Sequence, residues 1–309
     1  MGLDAGGLLK KYIVTHFTSS LLVGFPEGMR LVVDLDAKWI PFVCTSESPQ
    51  ELRSIASRFL PFLASYTPSE VILARESAGV PERKRAVQEK RDGPGLDERS
   101  RTEFELQWRG ESDRSYTEIA AAASVSMTPR QVSCALLTNR EVRRTLRDDF
   151  LESLMREYEG AKPGWPLAIH GDTLIRGGES TPVEGYNPGE GEFKFGHYLD
   201  GAPTIAVTID TDALVVMLCG LPDATPPRTV ILHIGELIVD VGALRARFET
   251  RGHMDAWLLG WIMCGTDYLR NPPSSHASMC PRTWTRGCWA GSCAARTTSG
   301  TRRSSATPG

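Results

Sequence analysis

The sequence predicts an α/β fold in which helices cover both faces of a mostly parallel sheet, a three-layer α/β/α arrangement. Short apolar segments alternate with helical patterns along the chain, and several of these segments are apolar at nearly every position. Strands of this kind are typical of parallel sheets, because both of their faces are buried. The 309 residues, 41% of them hydrophobic, are enough for one large domain.

The first half of the chain alternates between the two patterns. It predicts a short helix at the start, a strand over 30–35, a helix over 48–64, a strand over 70–74 and a helical region over 114–160. Ser48 and Pro49 are typical helix openers. The charged stretch 81–113 predicts an exposed helix or a mobile loop. Together with the helical region, it forms a charged helical insertion at about 81–160.

The second half continues the alternation and then changes character. The predicted elements are a strand over 166–170, a Gly/Pro-rich loop over 171–189, a helix opened by Pro188 and Gly189, strands over 204–209 and 229–234, and a helix over 251–265. Residues 270–309 contain almost no aliphatic side chains, so we expect a disordered or atypical tail. The predicted domain therefore covers residues 1–269.

Charge is divided unevenly between these two parts. The net charge is −3, and the tail carries six arginines and no acid. Removing those six positive charges leaves −9 on residues 1–269. The body of the chain is therefore acidic, as a cluster of metal-binding carboxylates requires.

The cysteines and the apolar runs bear on the compartment. Seven cysteines occur, without a C-x-x-C pair, and the first four lie in or beside apolar runs, which favours buried reduced thiols. No apolar run reaches about 18 residues, and the N-terminus has no signal-type segment. We expect a soluble intracellular protein, of the nucleus or the cytoplasm.

Acidic residues recur where predicted strands or helices end. The candidates are Asp34, Glu190, Glu192, Asp210, Asp212 and Asp267. The carboxyl ends of parallel strands meet at one edge of a sheet, where ligands gather. Carboxylate oxygens that converge there would suit one or two Mg²⁺ or Mn²⁺ ions.

Each acid also has a simpler interpretation. Glu190, Glu192, Asp210 and Asp212 could cap helices or turns, since acids are favoured near helix N-termini. Asp34 and Asp267 could be ordinary loop residues. Their joint occurrence, each at the end of a predicted element, favours the metal site.

The same segments resemble the 5′-nuclease superfamily, which includes flap endonucleases, XPG-type repair nucleases and Xrn-type 5′→3′ exoribonucleases. The similarity lies in the opening Met-Gly, in LVVD ending at Asp34, in PGEGEFK over 188–194, in DTDAL over 210–214 and in GTDYL over 265–269. PGEGE-x-K and GTDYL are closest to the Xrn type. The resemblance covers residues 1 to about 274, with little guidance between 95 and 160.

This resemblance implies a PIN-like domain that hydrolyses phosphodiester bonds from the 5′ end of RNA or DNA, with the six acids as catalytic metal ligands. The alternatives are a flap-type structure-specific DNA endonuclease and a catalytically impaired relative that binds nucleic acid. Ala78 stands where the family has an aspartate, and Glu76 is the nearest possible substitute. The chain also stops where the relatives carry further regions.

A basic run follows Ala78, and the resemblance places it against the phosphate chain. The residues are Arg83, Lys84, Arg85, Lys90 and Arg91. On a helix they would present one positive face to a nucleic acid, although a solvated charged helix would have the same composition. Trp39, close to the first acid, could stack on a base or pack in the core.

Overall fold

The fold is known from a computed structural model that describes residues 6–77, Thr102, 113–122, 126–138, 140–183 and 189–263. The predicted fold class is confirmed, because helices cover both faces of one mostly parallel central sheet. The predicted limits of the insertion and of the tail stay predictions. Most of 78–112 and all of 264–309 lie outside the described residues.

The sheet has eight strands within the described ranges. They are β1 Arg30–Asp34, β2 Glu70–Ala74, β3 Leu167–His170, β4 Thr173–Arg176, β5 Glu179–Pro182, β6 Thr204–Thr208, β7 Val230–Ile234 and β8 Leu237–Asp240. Their order is β5-β4-β3-β2-β1-β6-β7-β8. Strands β3, β2, β1, β6 and β7 pair in parallel, whereas β4, β5 and β8 join antiparallel.

Two helical layers pack on this sheet. The helices are α1 Gly6–His16, α2 Leu35–Cys44, α3 Pro49–Arg53, α4 Ile55–Ala64, α5 Tyr116–Ala122, α6 Pro129–Thr138, α7 Arg140–Ala161, α8 Asp212–Gly220, α9 Val241–Arg245 and α10 Arg251–Met263, with 3₁₀ helices at Thr18–Ser20 and Glu192–Tyr198. Alternate residues of β1 face opposite cores. Leu31 and Val33 join the core under α2 and α4–α7, whereas Val32 joins the core under α1, α8 and α10. This alternation explains the continuous apolar run of β1.

The prediction of a loop over 171–189 is wrong for residues 173–182. The chain there forms a hairpin of β4 and β5, turned by Gly177 and Gly178 with φ of +56° and +83°. Two consecutive residues with positive φ define the tight turn that suits a right-twisted hairpin, and glycine adopts it without steric cost.

Two helix predictions are also corrected. The helix predicted over 48–64 divides at Ser54 into α3 and α4. The helix expected after Pro188 and Gly189 is instead the 3₁₀ helix Glu192–Tyr198, so Glu190 precedes it rather than lying on it. Trp257 and Trp261 of α10 are core residues.

Candidate functional site

The strand order creates a crevice between β1 and β6. The chain passes from β1 to β2 and β3 on one side, and then returns to place β6 and β7 on the other side of β1. At such a point the connections leave the carboxyl ends of neighbouring strands in opposite directions, which opens a binding crevice. Asp34 ends β1 and Thr208 ends β6, so both border it.

Asp34 is buried in this crevice and accepts two hydrogen bonds. The Thr208 hydroxyl donates to Oδ2 at 2.8 Å, and the Ala37 amide donates to Oδ1 at 3.3 Å. The second bond makes Asp34 the N-cap of α2. Burial, and after it the charge of Asp36, raise the pKa of Asp34 to about 7, although its two hydrogen bonds oppose the rise. The carboxylate therefore lies where negative charge is poorly compensated.

Asp210 and Asp212 continue from Thr208 into the first turn of α8. The Asp210 amide donates to the Thr208 hydroxyl at 3.0 Å, and the Asp212 amide donates to Asp210 Oδ1 at 3.2 Å. Asp210 thus has the turn-forming role of the simpler interpretation. The charge of Asp210 also contributes to the raised pKa of Asp34, so the two carboxylates repel each other electrostatically across the crevice.

The segment with Glu190 and Glu192 crosses the carboxyl ends of β1 and β2. A Cβ atom added to Gly191 would lie 2.7 Å from Asp34 Oδ1 and 3.0 Å from the Ala74 carbonyl oxygen. The Ser77 amide donates to the Gly189 carbonyl at 2.7 Å and holds the segment in place. Both glutamates are buried beside it. Glycine at 191 therefore allows the backbone to approach Asp34 this closely.

Two cationic side chains that the sequence did not single out as site residues lie among these acids. Lys194 is fully buried, and its ammonium donates to Ser77 Oγ at 3.0 Å. Burial lowers its pKa to about 8, with Asp172 and Glu192 opposing that shift. Arg147 of α7 pairs with buried Asp36 at 3.3 Å. Lys194 is the last residue of the PGEGEFK segment, and this motif is the feature of the sequence that could have identified it.

The structure brings five of the six predicted acids to one edge of the sheet. Asp34, Glu190, Glu192, Asp210 and Asp212 are each 8% exposed or less. Asp267 and the five basic residues Arg83, Lys84, Arg85, Lys90 and Arg91 lie outside the described residues, so their predicted roles stay predictions. Trp39 is 1% exposed and packs 6.0 Å from the Phe150 ring, which excludes the base-stacking alternative.

The five acids fit a hard divalent cation by their donor chemistry. Their ligand atoms are carboxylate oxygens, and burial is the largest cause of the raised pKa of Asp34. Within the described ranges, no three His, Cys, Asp or Glu side chains are close enough to hold a metal ion together. Asp267, the sixth predicted ligand, lies outside the described ranges.

Comparisons with known proteins add no family to this description. Neither the comparison with protein-family models nor the one with curated proteins gives a match to the chain. Among the described residues, no helix is both long and apolar enough to cross a membrane.

Proposed function

We propose that the chain is a divalent-metal-dependent nuclease that hydrolyses phosphodiester bonds from the 5′ end of RNA or DNA, within the nucleus or the cytoplasm. One observation carries the proposal: five buried carboxylates lie along the same edge of the sheet, at the end of β1, after the end of β6 and on the segment that crosses β1 and β2. Buried carboxylates must be hydrogen-bonded, paired with a cation or bound to a metal, and carboxylate oxygens are the ligands that hard divalent cations prefer. The resemblance to 5′-nucleases, Xrn-type above all, is a second support, because its motifs supply all five acids.

The proposed ligands are Asp34, Glu190, Glu192, Asp210, Asp212 and Asp267, for one or two Mg²⁺ or Mn²⁺ ions. Bound there, the ions would supply an ionised water at neutral pH and neutralise charge on the reacting phosphate. The residues of the chain prepare this chemistry. Thr208 orients Asp34 through its 2.8 Å hydrogen bond. Because Gly191 has no side chain, the backbone of its segment can approach the carboxylate of Asp34.

The chain also carries positive charge toward the proposed phosphate. The ammonium of Lys194 lies near Glu192, where it partly balances the acids. The basic run of Arg83, Lys84, Arg85, Lys90 and Arg91 would neutralise the phosphate chain of the substrate. In the sequence, this run begins nine positions after Ala74, the last residue of β2.

A cleavage assay tests the proposal and separates its variants. The chain is incubated with 5′-phosphorylated RNA, 5′-hydroxyl RNA or a DNA flap, each with Mg²⁺, Mn²⁺ or EDTA. We expect cleavage with either metal and none with EDTA, and at least a 100-fold loss in Asp210→Asn, on the order of the loss of a principal catalytic group. Asp223→Asn is the matched control, because Asp223 is an exposed carboxylate paired with Arg245. Cleavage confined to the DNA flap would favour the flap-type alternative.

A second candidate function has a specific observation in its favour. Buried Lys194 and the Arg147–Asp36 pair already place fixed cations among the acids, and Ala78 replaces an acid of the family pattern. A relative that binds nucleic acid without cleaving it would retain such charges in place of metal. This candidate predicts no product with any metal in the cleavage assay. It also predicts salt-dependent binding to RNA or DNA in a separate binding titration.

A further inference from the structure

Two thiols on adjacent helices lie within hydrogen-bonding distance of each other. Cys44 Sγ at the end of α2 is 3.4 Å from Cys134 Sγ on α6, and both cysteines are free. Cys44 is half-buried, whereas Cys134 and Cys219 are exposed, so the prediction of buried thiols is wrong for both Cys134 and Cys219. Cys219, also exposed, is 85 positions further along the chain on α8. The pair therefore differs from an isolated surface cysteine.

The backbone around the pair keeps the two sulfur atoms together. The buried Ser133 hydroxyl, one position before Cys134, donates to the Ser46 carbonyl two positions after Cys44 at 3.3 Å. The helices α2 and α6 thus pack side by side independently of the thiols. A disulfide bond is about 2.05 Å long, so closing it needs the two sulfur atoms to approach by roughly 1.4 Å.

The surroundings give the two sulfur atoms different roles. Burial, followed by the hydrogen bond with Cys134, raises the pKa of Cys44 to about 12, although the charge of Arg130 opposes the rise. Cys44 therefore stays a thiol at neutral pH. Cys134 is open to solvent, so it is the sulfur that meets an oxidant first.

We propose that Cys44 and Cys134 form a reversible redox site, which a peroxide converts to a disulfide. Cys134 as thiolate attacks one oxygen of hydrogen peroxide, the O–O bond breaks, and the released hydroxide takes a proton to leave as water. The sulfur of Cys44 then attacks the sulfenic acid, the S–O bond breaks, and a second water carries away the Cys44 proton. The thiol pair loses two electrons, which reduce one peroxide to two waters.

This bond would join parts of the fold that are distant in sequence. Asp34 caps the start of helix α2, and the disulfide would fasten the other end of that helix to the helical layer of α6 and α7. It would close a loop whose ends are 90 positions apart, and that loop contains β2 and the basic run at 83–91. A loop of this size predicts a rise in Tm of roughly 5–10 °C.

The test is peptide mapping of the full chain without reduction. The protein is treated with a small molar excess of hydrogen peroxide, blocked with an alkylating agent, digested and analysed by mass spectrometry. We expect a linked peptide pair containing Cys44 and Cys134 in the majority of molecules, its loss on adding dithiothreitol, and the rise in Tm. Cys134→Ser should abolish the link and the rise, whereas Cys219→Ser should retain both.

Two outcomes would overturn the proposal. One is the oxidation of Cys134 to sulfinic acid with Cys44 still alkylated. The other is a predominant link from either cysteine to Cys219 or to a cysteine of 264–309. If Cys134→Ser is unstable, Cys134→Ala and the wild-type map decide the question, since the wild-type map does not depend on any variant. The activity assay plays no part, so the result is independent of the proposed nuclease function.

Discussion

Asp34 caps a helix and occupies the crevice at the same time, and the two roles place opposite demands on its charge. As a cap it stabilises α2 best when ionised, but its burial beside Asp36 and Asp210 favours the protonated form. Its pKa of about 7 shows that burial has the larger effect. A residue that only capped α2 would not need to be buried beside Asp36 and Asp210.

The pH dependence of stability should show this conflict when metal is removed with EDTA. The folded pKa lies above the unfolded value, so Asp34 favours the folded state at low pH, and this contribution is lost as the pH rises from about 4 to about 7. We expect Asp34→Asn to be more stable than wild type at pH 8, by about 2 to 4 kcal/mol, with the difference vanishing near pH 4. Urea unfolding of both proteins between pH 4 and pH 8 measures it. A constant difference across that range would contradict the assignment.

The close approach of Gly191 gives a second prediction at this scale. Gly191→Ala places a methyl group against Asp34 Oδ1 and the Ala74 carbonyl, so we expect a loss of about 1–3 kcal/mol in the free energy of unfolding. Gly196→Ala is the matched control in the same segment, because no atom lies within 4 Å of its added Cβ. Thermal unfolding of the two variants should separate clearly, and equal Tm values would mean that the segment moves away at no cost.

Among the secondary-structure elements, the hairpin of β4 and β5 should respond to its turn rather than to its packing. Gly178→Ala meets no atom within 4 Å, but its φ is +83°, so we expect a loss of about 1 kcal/mol from backbone strain alone. Gly160→Ala, near the end of α7 and equally open, should instead gain a few tenths of a kcal/mol. Chemical denaturation of the pair checks the opposite signs. A loss of similar size in both would indicate an effect other than φ.

The five parallel strands were predictable from the sequence, whereas the antiparallel strands β4, β5 and β8 and several helices were not. Strands β1, β2 and β6 are short and apolar on both faces, so composition marks them. Asp34 is the N-cap of helix α2, and Asp212 is the first residue of helix α8. The acids that indicated the ends of strands therefore also mark the starts of helices. The Gly-Gly turn of β4–β5 was a readable signal that the general Gly/Pro content of 171–189 obscured.

At the scale of the whole molecule, the site depends on a strand order that the sequence does not specify. Acids at strand ends predict a shared edge, but only the return of β6 beside β1 places Asp210 near Asp34. Lys194 escaped prediction because a lysine in a charged segment normally faces solvent, and its burial follows from tertiary packing against Ser77.

Metal binding should therefore stabilise the entire domain. We expect Mn²⁺ at about 100 times its dissociation constant to add roughly 2.7 kcal/mol to the free energy of unfolding and to raise Tm by about 5–10 °C. The double variant Asp210→Asn/Asp212→Asn should lose most of this rise, whereas Asp223→Asn should retain it. Scanning calorimetry with and without Mn²⁺ provides the measurement. An equal rise in all three proteins would place the bound metal elsewhere.

The hydrogen bond between Thr208 and Asp34 also has a consequence for how the protein is made. Its two residues are 174 positions apart, so β1 and β2 leave the ribosome long before β6 exists. Until then one flank of β1 has no partner, and closing so long a loop is slow. We infer that the crevice forms among the last parts of the nascent chain to fold. During that interval the open flank of β1 would be the most exposed target for misassembly and for chaperones.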